Sequence, residues 1–584
     1  MKQLKQFLLS SILVFIALPT LYAYNSQGDV LKDIYTKLQA ADVSPPSLQD
    51  ITYSLTYGNT LYDNFLSVYP GVSAWGMPVS KFPMYGFDTK NGDSDFGLPH
   101  CNSDSDCQPN AKCLHLSAFN NALTPSTVKM CTGLADRNLS GIYDLVSKAN
   151  NFVDITTLEH FPDNRFKATL RNALTALAKT GKPITVRILD GIYSPIPTET
   201  QKDDVSTYQN YQALIRTTEG ELKDLTRDVQ KIPNEQLTVY IAGMRTCSGV
   251  TGTTCASKAA NSYMGFSWNH SKLIDVDGSS VMDGGVNMFA TDYLQEDPVF
   301  DLMAKISGPA AQKTLGFTNM LWSYVNKNMS SYPQDIIEFQ FKQGTITKSV
   351  PATLLSSPPQ PGTGTAEILG IGRTGGGILP NGERKNASDL AFYLLLSSAQ
   401  KTIYIAQQSL NGSLDTWPFD QLKNNGKPIP HTNLISAIAR LLIKGGDVFI
   451  VTSPPATVKV PLELGYESLA TKEQIWDKIK TEVSEISPNA NINLCEHLHI
   501  ANVQFNDNDT SWGDGKKIFD HYKFIMVDSN LFYFGSQNFY PSGLQNYGYI
   551  VNNETAANTV KNDLWEPLWK YSSHNQYHSH ECSN

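Results

Sequence analysis

The chain has 584 residues, of which 41% are hydrophobic and 17% charged, and it carries a formal net charge of −9 at pH 7. That length holds two domains with full cores, and the composition is that of an ordinary globular protein. The acidic balance argues against a broad nucleic-acid surface, which needs clustered Lys and Arg, but it leaves room for a locally basic pocket.

Lys2 and Lys5 precede an apolar run over residues 7–18, then Pro19 and Leu21-Tyr22-Ala23. A basic start, an apolar stretch too short to span a bilayer and a small residue at the end predict a signal peptide over residues 1–23. The protein is therefore expected to be secreted or periplasmic after cleavage. Its eight cysteines then read as disulfides. Cys101, Cys107, Cys113 and Cys131 crowd a polar stretch and predict a small stapled insertion with three pairings open. A zinc cluster is the competing reading, disfavoured because no CxxC occurs. Cys247 and Cys255 flank a Ser/Gly/Thr loop and are expected to close it, leaving Cys495 and Cys582 to pin the C-terminal tail.

From residue 153 the elements become legible. Residues 153–158 read as a buried strand, and Leu170, Leu174 and Leu177 form a helical stripe within residues 166–179. Gly181 stops that helix, and residues 184–189 are the next strand. Residues 402–406, the stripe Leu434, Ile438, Leu441 and Leu442, the stop Gly445-Gly446 and residues 448–451 repeat the pattern. Between the halves, residues 351–376 are rich in Pro, Gly, Ser and Thr and read as a linker. The expected domains are thus residues 24–350 and 377–584. Alternating β and α elements predict an α/β fold with largely parallel sheets covered by helices.

Each half ends in the same spelling. Asn269-His270-Ser271-Lys272, Asp277 and Gly284-Gly285-Val286-Asn287 return as His521-Tyr522-Lys523, Asp528 and Gly535-Ser536-Gln537-Asn538. The offset is 251 positions (521 − 270) for the His, Lys, Asp, Gly and Asn alike, without a gap. One such match is weak, but two in register predict two halves of one active site. Neutral imidazole is a nucleophile or base and imidazolium an acid. Lysine offers a fixed cation with three donors, and the Asn amides can donate to the same phosphate oxygens. Two of each converging on one phosphorus suit phosphodiester cleavage. Lysine in both motifs argues against a metal site, because a protonated amine cannot ligate. His497 and His499, and the tail residues His574, His578 and His580, read more simply as structural or solvated histidines. No GxSxG, HExxH or Walker A sequence occurs.

This pair resembles the duplicated HKD motif of the phospholipase D superfamily, and several stretches resemble its secreted bacterial members. They are residues 267–272, 298–301 with 308–311, 407–411, and the run Leu-Gln-Asn-Tyr-Gly-Tyr-Ile-Val at 544–551. The resemblance implies a two-lobed pseudo-dimer of α/β/α sandwiches with one motif per lobe and the site between them. It implies that His270 attacks phosphorus, that His521 protonates the leaving alcohol, and that Lys272, Lys523, Asn287, Asn538 and Ser536 hold phosphate oxygens. Asp277 and Asp528 belong to the catalytic motif by spelling, although their place at strand-end turns favours a structural role. Asp301 is expected to orient His270, and Asn546, usually Asp in those relatives, to orient His521. The function implied is hydrolysis of the head-group phosphodiester of glycerophospholipids such as phosphatidylcholine, with transfer to alcohols. A phospholipid at a membrane or micelle surface is the expected partner, with no cofactor, no metal, no nucleic acid and a monomeric chain. The alternatives are a phosphodiesterase for other diesters, nucleic acid included, and a lipid-binding module with a dead site.

Overall fold

The computed structural model describes residues 30–62, 67–69, 71–82, 98–159, 161–192, 211–247, 266–294, 297–331, 335–375, 377–378, 386–410, 423–424, 427–428, 432–455, 470–489, 491–539 and 544–583. The predicted signal peptide and Cys255, with its proposed closure onto Cys247, lie outside them.

Two sheets are built to one plan. In the first, Thr238–Cys247, Thr185–Gly191 and Phe152–Leu158 run parallel. The motif hairpin, Ile274–Val276 with Ser280–Gly284, follows antiparallel, and Asp301–Ser307 follows it. In the second, Leu498–Asn502, Asp447–Thr452 and Thr402–Gln407 run parallel. The hairpin Lys523–Val527 with Leu531–Gly535 and then Asn546–Asn552 complete it antiparallel. The α/β class holds, and the parallel part of each sheet is confined to its first three strands. A strand–helix–strand crossover makes those strands parallel, whereas the tight Asp-containing turn of each motif can only reverse the chain.

Alternation along the motif strands divides the core. Val281 faces a core shared by both lobes and Met282 faces the first lobe's outer helices. Phe532 faces the same shared core, and Tyr533 faces the second lobe's outer helices. Arg137–Val146 and Asn164–Lys179 cover the first sheet, and Ala387–Ser397, Leu434–Ile443 and Lys472–Ile486 the second. Pro309–Asn328 and the helices from Glu554 to Ser572 fill the middle layer through Phe317, Leu321, Trp322, Leu564 and Trp565.

Two boundaries differ from the sequence expectation. Ala366–Arg373, placed in the linker, is an inner strand of the second sheet, paired with Asn546–Asn552 on one side and Tyr53–Leu61 on the other. Its glycines suggested a loop but serve close packing, since a Cβ on Gly372 would lie 2.9 Å from the Phe317 ring. Tyr53–Leu61 also pairs through Thr60 and Leu61 with Asp301–Ser307, so the N-terminal segment joins both sheets. Val30–Ala40 packs into the second lobe's outer core. The first lobe therefore does not own residues 30–56. A non-local strand pairing of this kind leaves no trace in local periodicity.

The cysteine-rich insertion is a three-stranded sheet of His100–Cys101, Lys112–Leu114 and Lys129–Thr132. Its pairings are Cys101–Cys113 and Cys107–Cys131, which occupy the sulfurs a zinc ion would need, and Cys495–Cys582 ties the tail. Among the described residues no helix is long and apolar enough to cross a membrane.

Candidate active site

The two motif hairpins meet through two equivalent backbone exchanges. The His270 amide donates to the Gln545 carbonyl at 2.7 Å, and the His521 amide donates to the Phe300 carbonyl at 2.8 Å. The neighbouring bridges Asn269–Gln545 and Phe300–Asp520 are both parallel. Gln545 and Phe300 each immediately precede the first residue of the strand that follows the motif hairpin in its sheet, Asn546 in one lobe and Asp301 in the other. Each histidine is thereby laid beside the start of the opposite lobe's strand.

This crossing corrects the expected pairing. Asn546 Oδ1 lies 2.9 Å from His270 Nδ1, and Asp301 Oδ2 lies 2.7 Å from His521 Nδ1. The sequence reading had matched each orienting residue with the other histidine. The resemblance implies Asp301 for His270 and Asn546 for His521, but the interlobe bridges lay each histidine beside the opposite lobe's strand.

The tautomers follow. His270 Nδ1 also faces the Ser536 carbonyl at 3.1 Å, and a backbone oxygen can only accept. Nδ1 therefore carries the proton and Nε2 keeps its lone pair. Asn546 must turn its oxygen to the ring, where it also accepts from Ser536 Oγ at 3.2 Å, while its nitrogen points to the Leu544 carbonyl at 3.4 Å. Asp301 sits among donors instead. Tyr293 Oη donates to Oδ2 at 2.8 Å and the Leu302 amide to Oδ1 at 2.8 Å. Gly285 lets the carboxylate approach, because a Cβ there would collide with it.

Burial holds the pKa of His270 well below the ordinary imidazole value, and the nearby Lys272 and Lys523 push it further in the same direction, against the hydrogen bond that the ring donates to Asn546. His521 is brought down to about 4 by burial and Lys523, with Asp301 opposing. Both rings are thus held neutral, and only His521 has a carboxylate to support a proton. Burial also lowers Lys272 far below its usual range and brings Lys523 to about 8, the latter opposed by Asp301 and Asp520. Each lysine donates to its own motif histidine's carbonyl, at 2.7 Å for Lys272 and 2.5 Å for Lys523. A phosphodiester anion entering here would offset both cations and raise all four pKa values.

Asn287 and Asn538 are buried at the ends of the hairpins, and Asn287 Oδ1 has no partner among the described residues. Ser536, expected on phosphate, is otherwise committed. Its hydroxyl bonds Asn546 and Tyr547, and its carbonyl bonds His270. Asp277 and Asp528, grouped by spelling with the catalytic residues, lie away from the chemistry. Both hold positive φ, at 58° and 51°. Asp277 accepts from the amides of Asn150, Asn151 and Phe152, and Asp528 from those of Gln400, Lys401 and Thr402, all within 2.7–2.9 Å. They fasten each motif turn to the neighbouring strand. Asp277→Ala should lower unfolding free energy by about 2 kcal/mol and leave kcat per folded molecule unchanged. Paired urea unfolding and titrated activity check this, and a fall in kcat without loss of stability would contradict it.

His497 bonds Asp447 at 2.8 Å and His499 stacks on Phe449, the structural roles expected of them. Tyr293 escaped sequence reasoning altogether, since an aromatic beside a motif has no distinguishing local signal.

No family model matches the chain. A phospholipase D from Streptomyces antibioticus is 28% identical over 462 residues, covering 73% of this chain and 75% of that protein. Among solved structures, phosphatidylserine synthase from Haemophilus influenzae Rd KW20 aligns over 81% of this chain and 88% of that one, with a TM-score of 0.43 and 13% identity. NucT from Helicobacter pylori aligns over 33% and 89%, with a TM-score of 0.20 and 16% identity. Two His-x-Lys motifs closed on one site by reciprocal bonds thus lie in a chain that is similar over most of its length to a phospholipase D.

Proposed function

We propose that the protein is an exported phospholipase D that hydrolyses the head-group phosphodiester of glycerophospholipids through a phosphohistidine. One observation carries the reading: the two histidines are held with different partners, one suited to attack and one to proton transfer. His270 Nε2 would form the bond to phosphorus while the bond to the head-group oxygen breaks, and that oxygen takes a proton from His521. Water or an alcohol then attacks phosphorus, the P–N bond breaks, and the incoming proton goes to His521. Lys272, Lys523, Asn287 and Asn538 would hold the non-bridging oxygens as charge develops. The three disulfides among the described residues support export to an oxidising compartment.

The experiment is an assay on phosphatidylcholine with choline, phosphatidic acid and phosphatidylethanol quantified. With ethanol present, choline release should continue while product shifts to phosphatidylethanol. Choline release with no diversion at any ethanol concentration would contradict the covalent route. Cleavage of nucleic acid in preference to lipid would favour the second reading, against which the net charge of −9 weighs.

A further inference from the structure

Asp301 and Asn546 open corresponding strands of the two sheets and touch the two motif histidines in the same way. Their surroundings differ. Asp301 faces three donors, from His521, Tyr293 and Leu302, and no acceptor among the described residues. Asn546 faces two donors, from His270 and Ser536, and its nitrogen faces the Leu544 carbonyl. The first setting fits a carboxylate and the second fits an amide. Asn546 is therefore built into its site, not merely accommodated there.

We propose that Asn546 is a positioning residue that keeps the phosphohistidine short-lived by giving His270 a neutral partner. Resting on the covalent reading above, this concerns the charge of the intermediate. When Nε2 bonds to phosphorus and Nδ1 keeps its proton, the ring of His270 becomes cationic. A carboxylate at position 546 would stabilise that cation through a charge-assisted hydrogen bond, roughly twice as strong as a neutral one. The amide withholds that stabilisation, while the amide oxygen and the Ser536 carbonyl still fix the ring and its tautomer. The cation is accordingly high in energy and a good leaving group, so the second step runs ahead of the first. His521, which must alternate between imidazolium and imidazole, keeps the carboxylate.

Rapid-quench turnover of phosphatidylcholine labelled in its phosphate measures the fraction of enzyme carrying label. Wild type should show no burst and low occupancy. Asn546→Asp should raise phosphoenzyme occupancy about tenfold and produce a burst of choline. Asn546→Ala, which leaves the Ser536 carbonyl as the remaining acceptor, should show occupancy no higher than wild type. Equal or lower occupancy in Asn546→Asp, or accumulation in Asn546→Ala, overturns the proposal. If Asn546→Asp does not fold, the Ala variant and the absence of a wild-type burst decide it. Choline release without label or ethanol diversion in any variant would instead count against the covalent reading itself.

Discussion

His270→Ala and His521→Ala are each expected to lower kcat on phosphatidylcholine by about 10⁴-fold or more, because groups acting as one unit are lost together. Their losses should separate when the head group is p-nitrophenol, which leaves without a proton. His521→Ala then has no need of its acid in the first step and should release a burst of p-nitrophenol, stalling at the phosphoenzyme for lack of a base. His270→Ala lacks the attacking nitrogen and should release none. The separation follows from the bonds at each ring, with two acceptors fixing the Nδ1 proton of His270 and a carboxylate beside His521. A burst from His270→Ala would exchange the roles. Near-normal turnover of either variant on a natural phospholipid would end the single-site account.

The motif pair was legible because its chemistry is spelled within 18 consecutive residues, twice, at one offset. The strand–helix–strand rhythm before each motif was legible for a similar reason, since burial on both faces leaves apolar runs such as Val186, Ile188 and Leu189. Of the inferences about which distant residues meet, the closure of Cys495 on Cys582 held, and what failed was the matching of each orienting residue to its histidine. The resemblance implied pairing within lobes, Asp301 with the His270 that lies 31 positions before it (301 − 270) and Asn546 with the His521 that lies 25 before it (546 − 521). The interlobe bonds from His270 to Gln545 and from His521 to Phe300 reverse it. Backbone bonds carry no side-chain signature. The strand at Ala366–Arg373 was hidden by glycines whose purpose is contact with Phe317 and Tyr547 from elsewhere in the chain. The resemblance implied phosphate binding for Ser536, whereas its hydroxyl serves Asn546 and its carbonyl serves His270.

Asp301→Asn should cost about 10²–10⁴-fold in kcat at neutral pH, the range by which losing an orienting carboxylate harms an acid–base histidine. The amide has no good orientation. With its oxygen kept on the Leu302 amide, its nitrogen faces His521 Nδ1 and Tyr293 Oη, and a donor against Nδ1 drives the ring proton to Nε2 in the neutral form. Turned the other way, its nitrogen opposes the Leu302 N–H. The charge effect adds to the tautomer effect. Asp301 raises the pKa of His521 against burial and Lys523, so removing its negative charge lowers that pKa further below about 4 in the free site. The first step requires the protonated form, hence the alkaline limb of the kcat/KM profile should move to lower pH. A substrate that leaves without a proton should be spared in its first step, because His270 has its own partners in Asn546 and Ser536. A merely structural lesion would depress both substrates alike and leave the limb in place. An alkaline limb that stays put, with p-nitrophenol release falling as far as choline release, would therefore remove Asp301 from the proton-transfer path.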